Sequence, residues 1–308
     1  MIKTLSFIFI LYACTALAKV VVPGVTFRNG VVAPKLAFGT GTSWHKKGND
    51  TDISRELVES LKQAISLGYR HFDTADGYET EREVGVAIAE SGIPREQFFI
   101  TTKVYKYVRD PAAALARSLK NLNTTYLDMY LIHCPFFNKT THGIDVKDVW
   151  LHMEKVYAQK VARVIGVSNF RFQDLNRMFE YASVFPMNNQ FELHPYLQDL
   201  RLIEFSRRLG VIVEAYSPLT SLTHVKDGPV NGVVNKAAAT HQVSAGEVLL
   251  AWNPAEIVVT TSHNKKHQEE MLNSVNLKLT QEEIMDIYQE GSKLTYRGFW
   301  KKEFEEWP

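Results

Sequence analysis

From residue 36 onward the hydrophobic pattern alternates between two periods. Short runs, most of them largely apolar, are followed by longer stretches in which apolar residues recur every three or four places. The first kind suits strands covered on both faces, and the second suits amphipathic helices packed against them. On this reading strands cover residues 36–39, 69–72, 98–102, 127–132, 164–167, 187–191, 211–215 and 257–259. Helices cover 53–67, 80–90, 112–122, 146–159, 172–181, 200–209 and 245–252, and a helix at 280–288 closes the set. Ahead of them, Val25-Thr26-Phe27-Arg28-Asn29-Gly30-Val31-Val32 reads as a hairpin with an Asn-Gly turn.

Eight strand–helix units fit one closed barrel, about 250 residues in its usual form. A doubly wound open sheet is the competitor and would place Gly-x-Gly-x-x-Gly after its first strand. Here Gly39-Thr40-Gly41 is followed by Trp44 where the third glycine belongs. The expected fold is therefore α/β: a single (β/α)8 TIM barrel with an N-terminal β-hairpin and long loops at its C-terminal face. No Pro/Gly/Ser-rich linker divides residues 19–308, so they form one domain. Two irregular segments, 135–145 and 217–229, follow strand ends on the face where barrel enzymes build their sites.

The first 18 residues have a different pattern. Lys3, an apolar run over 5–13 and Ala16-Leu17-Ala18 read as a secretory signal peptide cleaved after Ala18. The run is too short to span a bilayer, so the processed chain is expected to be secreted, or kept in the endoplasmic reticulum lumen, with no membrane contact. Cleavage also removes Cys14 and leaves Cys134 as the single thiol, which excludes an internal disulfide. Sequons at Asn49, Asn123 and Asn138 are candidate glycosylation sites. A net charge of +1 without basic clusters gives no footprint for nucleic acid. A monomer is the default assembly.

Candidate chemistry collects at the strand ends. The second strand leads into Asp73 and, in its loop, Tyr78. The third leads into Lys103 and the fourth into His133. Ser168 and Asn169 end the fifth, Gln190 and then Glu192 the sixth, and Tyr216 the seventh. Each alone reads as a strand cap or a core polar group, but together they stand on one rim of one barrel. They suit carbonyl reduction, in which a hydride reaches carbon and a proton reaches oxygen. A tyrosine with pKa about 10 is a sluggish acid, and a neighbouring ammonium such as Lys103 improves it. Asp73 would keep that lysine charged, and His133 could orient the substrate oxygen.

Six stretches make the chain resemble the aldo-keto reductase superfamily. They are Gly68-Tyr-Arg-His-Phe-Asp-Thr-Ala-Asp-Gly-Tyr78, Ile100-Thr-Thr-Lys-Val104, Leu131-Ile-His-Cys-Pro135, Ile165-Gly-Val-Ser-Asn-Phe170, Asn189-Gln-Phe-Glu-Leu-His-Pro195 and Glu214-Ala-Tyr-Ser-Pro-Leu219. The resemblance implies a (β/α)8 barrel that uses NADPH, or NADH more weakly, to reduce a small-molecule aldehyde or ketone. It implies a catalytic tetrad of Asp73, Tyr78, Lys103 and His133, with Tyr78 as proton donor. It sets the nicotinamide amide against Ser168, Asn169 and Gln190 and its ring on Tyr216, with the pyrophosphate near Ser217 and Leu219. Thr42 would also touch cofactor, while Trp44 and His133 would line the substrate pocket. Segments 39–44 and 258–262 are similar to fungal-type members acting on ketones and α-dicarbonyls.

One departure concerns the cofactor's 2′-phosphate. Many members carry a Lys-Ser pair after the eighth strand and an Arg six residues beyond that Lys. Here those positions are Thr261-Ser262 and His267. A helix expected to begin near Asn264, with Lys265 in its first turn, would supply the anion site instead. His263 and His267 are spaced as a metal pair but lack a third ligand nearby, so no metal is expected. The alternative to an enzyme is a secreted cofactor- or ligand-binding barrel with little turnover, and a complete tetrad argues against it.

Overall fold

The structure is a computed structural model that describes residues 20–46 and 52–307. The expected leader peptide and the Asn49 sequon lie outside the described residues. A hairpin opens the described chain, pairing β1 (Gly24–Thr26) antiparallel with β2 (Val32–Pro34). Eight parallel strands follow and close on themselves. They are β3 (Leu36–Gly39), β4 (His71–Asp73), β5 (Phe99–Val104), β6 (Leu127–Ile132), β7 (Ala162–Ser168), β8 (Asn188–Glu192), β9 (Ile212–Tyr216) and β10 (Ile257–Thr260). The first and last barrel strands meet through Val258↔Leu36 and Thr260↔Phe38.

The outer ring is made by helices Arg55–Leu67, Glu81–Ser91, Pro111–Asn121, Val146–Ala158, Phe172–Met178, Leu200–Arg208, Ala245–Trp252 and Lys265–Asn273. Their starts are capped as their sequences suggest. Ser54, Asp110, Asp145, Asp199, Ser244 and Asn264 each accept a backbone N–H of the first turn. The hairpin closes the N-terminal mouth of the barrel. Phe27 stacks on Phe99 at 6.3 Å, and Arg28 donates to the carbonyl of Pro186 at 2.9 Å.

Strand limits differ from the sequence reading at two functional points. β4 begins at His71 rather than residue 69, because the Tyr69 N–H still bonds the Ala64 carbonyl at the preceding helix end. β5 runs on to Val104, so Lys103 lies inside a strand, registered against Leu131, instead of following one. Helix Asn231–His241 was not foreseen. Its Asn231-Gly232 start reads as a turn, and its three alanines (237–239) give little apolar periodicity. It is stabilised by a second apolar cluster in which Val234 and Ala237 pack with Val248, Leu249, Trp252 and Ile287. The loops at 135–145 and 217–229 contain one-turn helices, Lys139–His142 and Thr220–Thr223. Gln281–Gly291 and Lys301–Glu306 end the described chain.

Candidate active site

Asp73 closes β4, and its register partner on β5 is Thr101. Lys103 lies two residues farther along on the same inward face, one layer nearer the C-terminal rim. Its ammonium is fully buried. It donates to Asp73 Oδ1 at 2.6 Å, to the Thr74 carbonyl at 3.1 Å and, more distantly, to Tyr78 Oη at 3.5 Å. The other oxygen of Asp73 accepts from Gln190 Nε2 at 2.8 Å. Tyr78 ends the short turn Asp76–Tyr78, where Gly41 makes room for it. A Cβ on Gly41 would stand 2.5 Å from the Tyr78 ring.

His133 Nε2 lies 3.2 Å from Tyr78 Oη, and its Nδ1 is buried with no partner. Orphaned buried N–H groups are rare, so the ring proton is assigned to Nε2, which donates to the Tyr78 oxygen. That oxygen is then the acceptor for both Lys103 and His133. Its own proton is left to point away from both.

Electrostatics fit this assignment. Burial comes first and would lower Lys103, but Asp73, together with Tyr78 and Glu214, outweighs it and holds the ammonium above its usual pKa. Burial, then the charges of Lys103 and His45, press His133 well below the usual imidazole value, so the ring is neutral. For Tyr78 burial comes first and raises the phenol, while Lys103 works against it. The net direction is upward, which differs from the expectation of a phenol activated by its cation alone. Tyr78 stays protonated at neutral pH, with the Lys103 cation 3.5 Å from its oxygen.

The rim amides form one network with these groups. Asn169 donates to the His133 carbonyl at 2.9 Å and to Ser168 Oγ at 3.1 Å. The Tyr216 hydroxyl donates to Asn169 Oδ1 at 2.8 Å. Ser168, Asn169, Gln190 and Tyr216 thus join Asp73, Tyr78, Lys103 and His133. The remaining candidates stand on surrounding loops, outside that network among the described residues. Thr42 is exposed. Ser217 has φ 55° and, with half-buried Leu219, opens the loop after β9. Thr261 follows β10, and its Oγ1 is buried without a partner. Ser262 Oγ accepts the Asn264 N–H at 3.0 Å. Asn264 Oδ1 in turn takes the N–H groups of Lys266 (2.8 Å) and His267 (3.4 Å). The helix does begin where expected, but two of its first N–H groups are already occupied. Lys265 and His267 are exposed, and Lys265 Nζ is 3.7 Å from Glu269. Trp44 does not stack on the tetrad. Its ring lies 3.7 Å from that of His263 across the β3–β10 seam, and its Nε1 is buried without a partner.

Comparison with known proteins decides the family. The profile described as the aldo/keto reductase family matches residues 35–289. The chain belongs to the aldo/keto reductase family. It is 36% identical over 278 residues to the NAD/NADP-dependent indole-3-acetaldehyde reductase of Schizosaccharomyces pombe, covering 88% of this chain and 96% of that protein. It is 35% identical to the NADPH-dependent alpha-keto amide reductase of Saccharomyces cerevisiae, covering 90% and 94%. The solved aldo-keto reductase of Bombyx mori, in complex with NADP, superposes with a TM-score of 0.79 at 32% identity, covering 91% of this chain and 97% of that one.

Several groups that shape this aldo/keto reductase's site escaped the sequence reading. Asp76 accepts the backbone N–H groups of Tyr105, Lys106 and Tyr107 at 3.1–3.2 Å, which fixes the loop beyond β5. Glu214, fully buried on β9, accepts from Asn188 Nδ2 at 2.8 Å. Burial and then the charge of Asp73 push its carboxyl up to about 8. Trp300 stands 5.7 Å from His133 and 5.4 Å from Tyr105. The acidic side chains offered a signal, since both sit in or beside barrel strands. The Trp300 position offered none.

Proposed function

We propose that this aldo/keto reductase reduces aldehydes and ketones to alcohols with NADPH, and that Tyr78 delivers the proton. One observation carries the reading: the Tyr78 oxygen lies between the Lys103 ammonium and the His133 imidazole, with Asp73 2.6 Å from that ammonium. A carbonyl oxygen at the rim would receive the outward proton of Tyr78, and the neutral His133 would orient it by sharing its Nε2–H between that oxygen and Tyr78. Lys103 stabilises the tyrosinate left behind, and Asp73 keeps Lys103 charged.

Bound NADPH would supply the hydride to the carbonyl carbon. Ser168, Asn169 and Gln190 would hold its amide end and Tyr216 its ring. Thr261, Ser262 and Lys265 would take its 2′-phosphate. The residues suit such a guest. Thr261 Oγ1 and Trp44 Nε1 are buried at this rim without partners, and a polar ligand would satisfy them. The names of the two fungal relatives, one for NAD/NADP and one for NADPH, and the NADP in the silkworm structure support the same cofactor. Tyr105, Phe136 and Trp300 give the pocket an aromatic wall, which favours a carbonyl with an apolar substituent.

Tyr78→Phe tests the proposal. The ring stays and only the hydroxyl is lost, so NADPH should still quench intrinsic fluorescence with a similar Kd. Carbonyl-dependent NADPH oxidation should fall by a factor of about 10² or more. Near wild-type turnover in that variant would remove Tyr78 from its role.

A further inference from the structure

Glu192 ends β8 two residues beyond Gln190, on the same inward face, yet takes no part in the tetrad. Its side chain is fully buried. Three N–H groups converge on its carboxylate: His194 Nε2 at 3.0 Å, the Gly298 backbone at 2.7 Å and the Phe299 backbone at 3.1 Å. His194 Nδ1 accepts the Tyr196 N–H at 3.2 Å, which fixes Nε2 as the donor to Glu192. Two of the three donors therefore come from a segment more than a hundred residues downstream.

That segment reaches the catalytic rim. The Phe299 ring meets Tyr216 edge-on at 5.7 Å, and Trp300 stands over His133 and Tyr105. Trp300 has φ 55°, a left-handed conformation that is strained for a bulky side chain and persists only when its surroundings impose it. The clamp acts on the two residues immediately before it. A Cβ at Gly298 would stand 3.0 Å from Glu192 Oε1, so a side chain there would push the carboxylate or the tail aside by a few tenths of an ångström. If the tail swung away, a buried carboxylate would keep His194 as its one remaining donor of the three, so the closed arrangement is favoured.

We propose that Glu192 is a positioning residue for substrate selectivity. By clamping residues 298 and 299 it holds Trp300 as a wall of the carbonyl pocket, favouring a flat aromatic carbonyl over a small hydrophilic one. The proposal rests on the reductase reading. Two variants test it, Glu192→Gln from the strand side and Gly298→Ala from the tail side. The alanine leaves the carboxylate in place and keeps the test open if the first variant does not fold. Two readouts are used: hydrogen exchange of the 298–300 amides, and kcat/KM for isatin and for methylglyoxal with NADPH.

In both variants those amides should exchange faster while those of β6 do not. The isatin-to-methylglyoxal ratio of kcat/KM should fall by about tenfold, carried by the KM for isatin. Adding Trp300→Ala to Gly298→Ala should lower the ratio little further, since both act on one wall. Unchanged exchange in both variants would overturn the clamp. Faster exchange with an unchanged ratio, or equal losses for the two carbonyls, would overturn the selectivity role. A wild type that reduces neither carbonyl would refute the reductase reading itself, and the exchange data would still decide the clamp.

Discussion

Asp73→Asn removes one charge from the centre of the site and almost no volume. Lys103 is fully buried and the Asp73 side chain is 4% exposed, so water cannot replace the lost partner. Breaking a buried pair by removing one member costs about 3–5 kcal/mol. Here Lys103 keeps the Thr74 carbonyl at 3.1 Å, and an amide oxygen can still face it, which sets the cost at the lower end, about 3 kcal/mol. For a chain of this size that is about 6–12 °C in melting temperature.

The pH dependence carries the sharper test. In the wild type Lys103 is raised above its usual 10.5, so its contribution is fully present below that value and lost as pH climbs through the folded pKa. In the variant burial acts without the carboxylate and depresses Lys103. The unfolded chain then binds the proton more readily, and stability rises with pH toward 10.5. Glu214, relieved of the Asp73 charge, changes the difference in the same direction. Melting curves by scanning fluorimetry should therefore converge between about pH 8 and pH 10. Turnover should also fall by a factor of about 10², because Lys103 without its carboxylate partner supports the tyrosinate less well. A variant that melts within about 2 °C of wild type and keeps a constant offset across that range would refute the ion-pair argument.

Two further predictions rest on neighbouring groups. Glu214 has its folded pKa raised from 4.5 to about 8, so its contribution is present in acid and lost as pH rises through about 8. Glu214→Gln should flatten the decline in melting temperature between about pH 5 and pH 8, and an unchanged slope would show that this carboxyl does not set it. At the helix after β10, Asn264 occupies two backbone N–H groups, which leaves the Lys265 charge and the Thr261 hydroxyl to read a phosphate. Lys265→Ala should weaken NADPH binding by about three- to tenfold and leave NADH within about twofold, measured by fluorescence quenching. Equal losses for both cofactors would place the phosphate elsewhere.

The barrel was legible because its signal is local. Runs such as Ile257–Val259 are apolar throughout, and the helices between them repeat at the other period, so each unit declares its type within about a dozen residues. The clustering of Asp73, Tyr78, Lys103 and His133 was legible for a related reason: a closed parallel barrel brings all its strand ends to one rim, whatever the register. What local pattern does not carry is the partner of each polar group. Gln190 reads as one more polar residue on β8 after Asn188 and Asn189, yet its amide reaches Asp73, 117 positions away. Trp44 has the sequence setting of a pocket residue, and its ring finds His263 across the barrel seam. The strained Trp300 depends on Glu192, 108 positions earlier, through N–H groups of the two intervening neighbours. These pairings exist only once the barrel has closed and its loops have crossed the rim. Strand ends therefore bring the polar groups to one rim, while the partner of each is set by contacts that arise from closure.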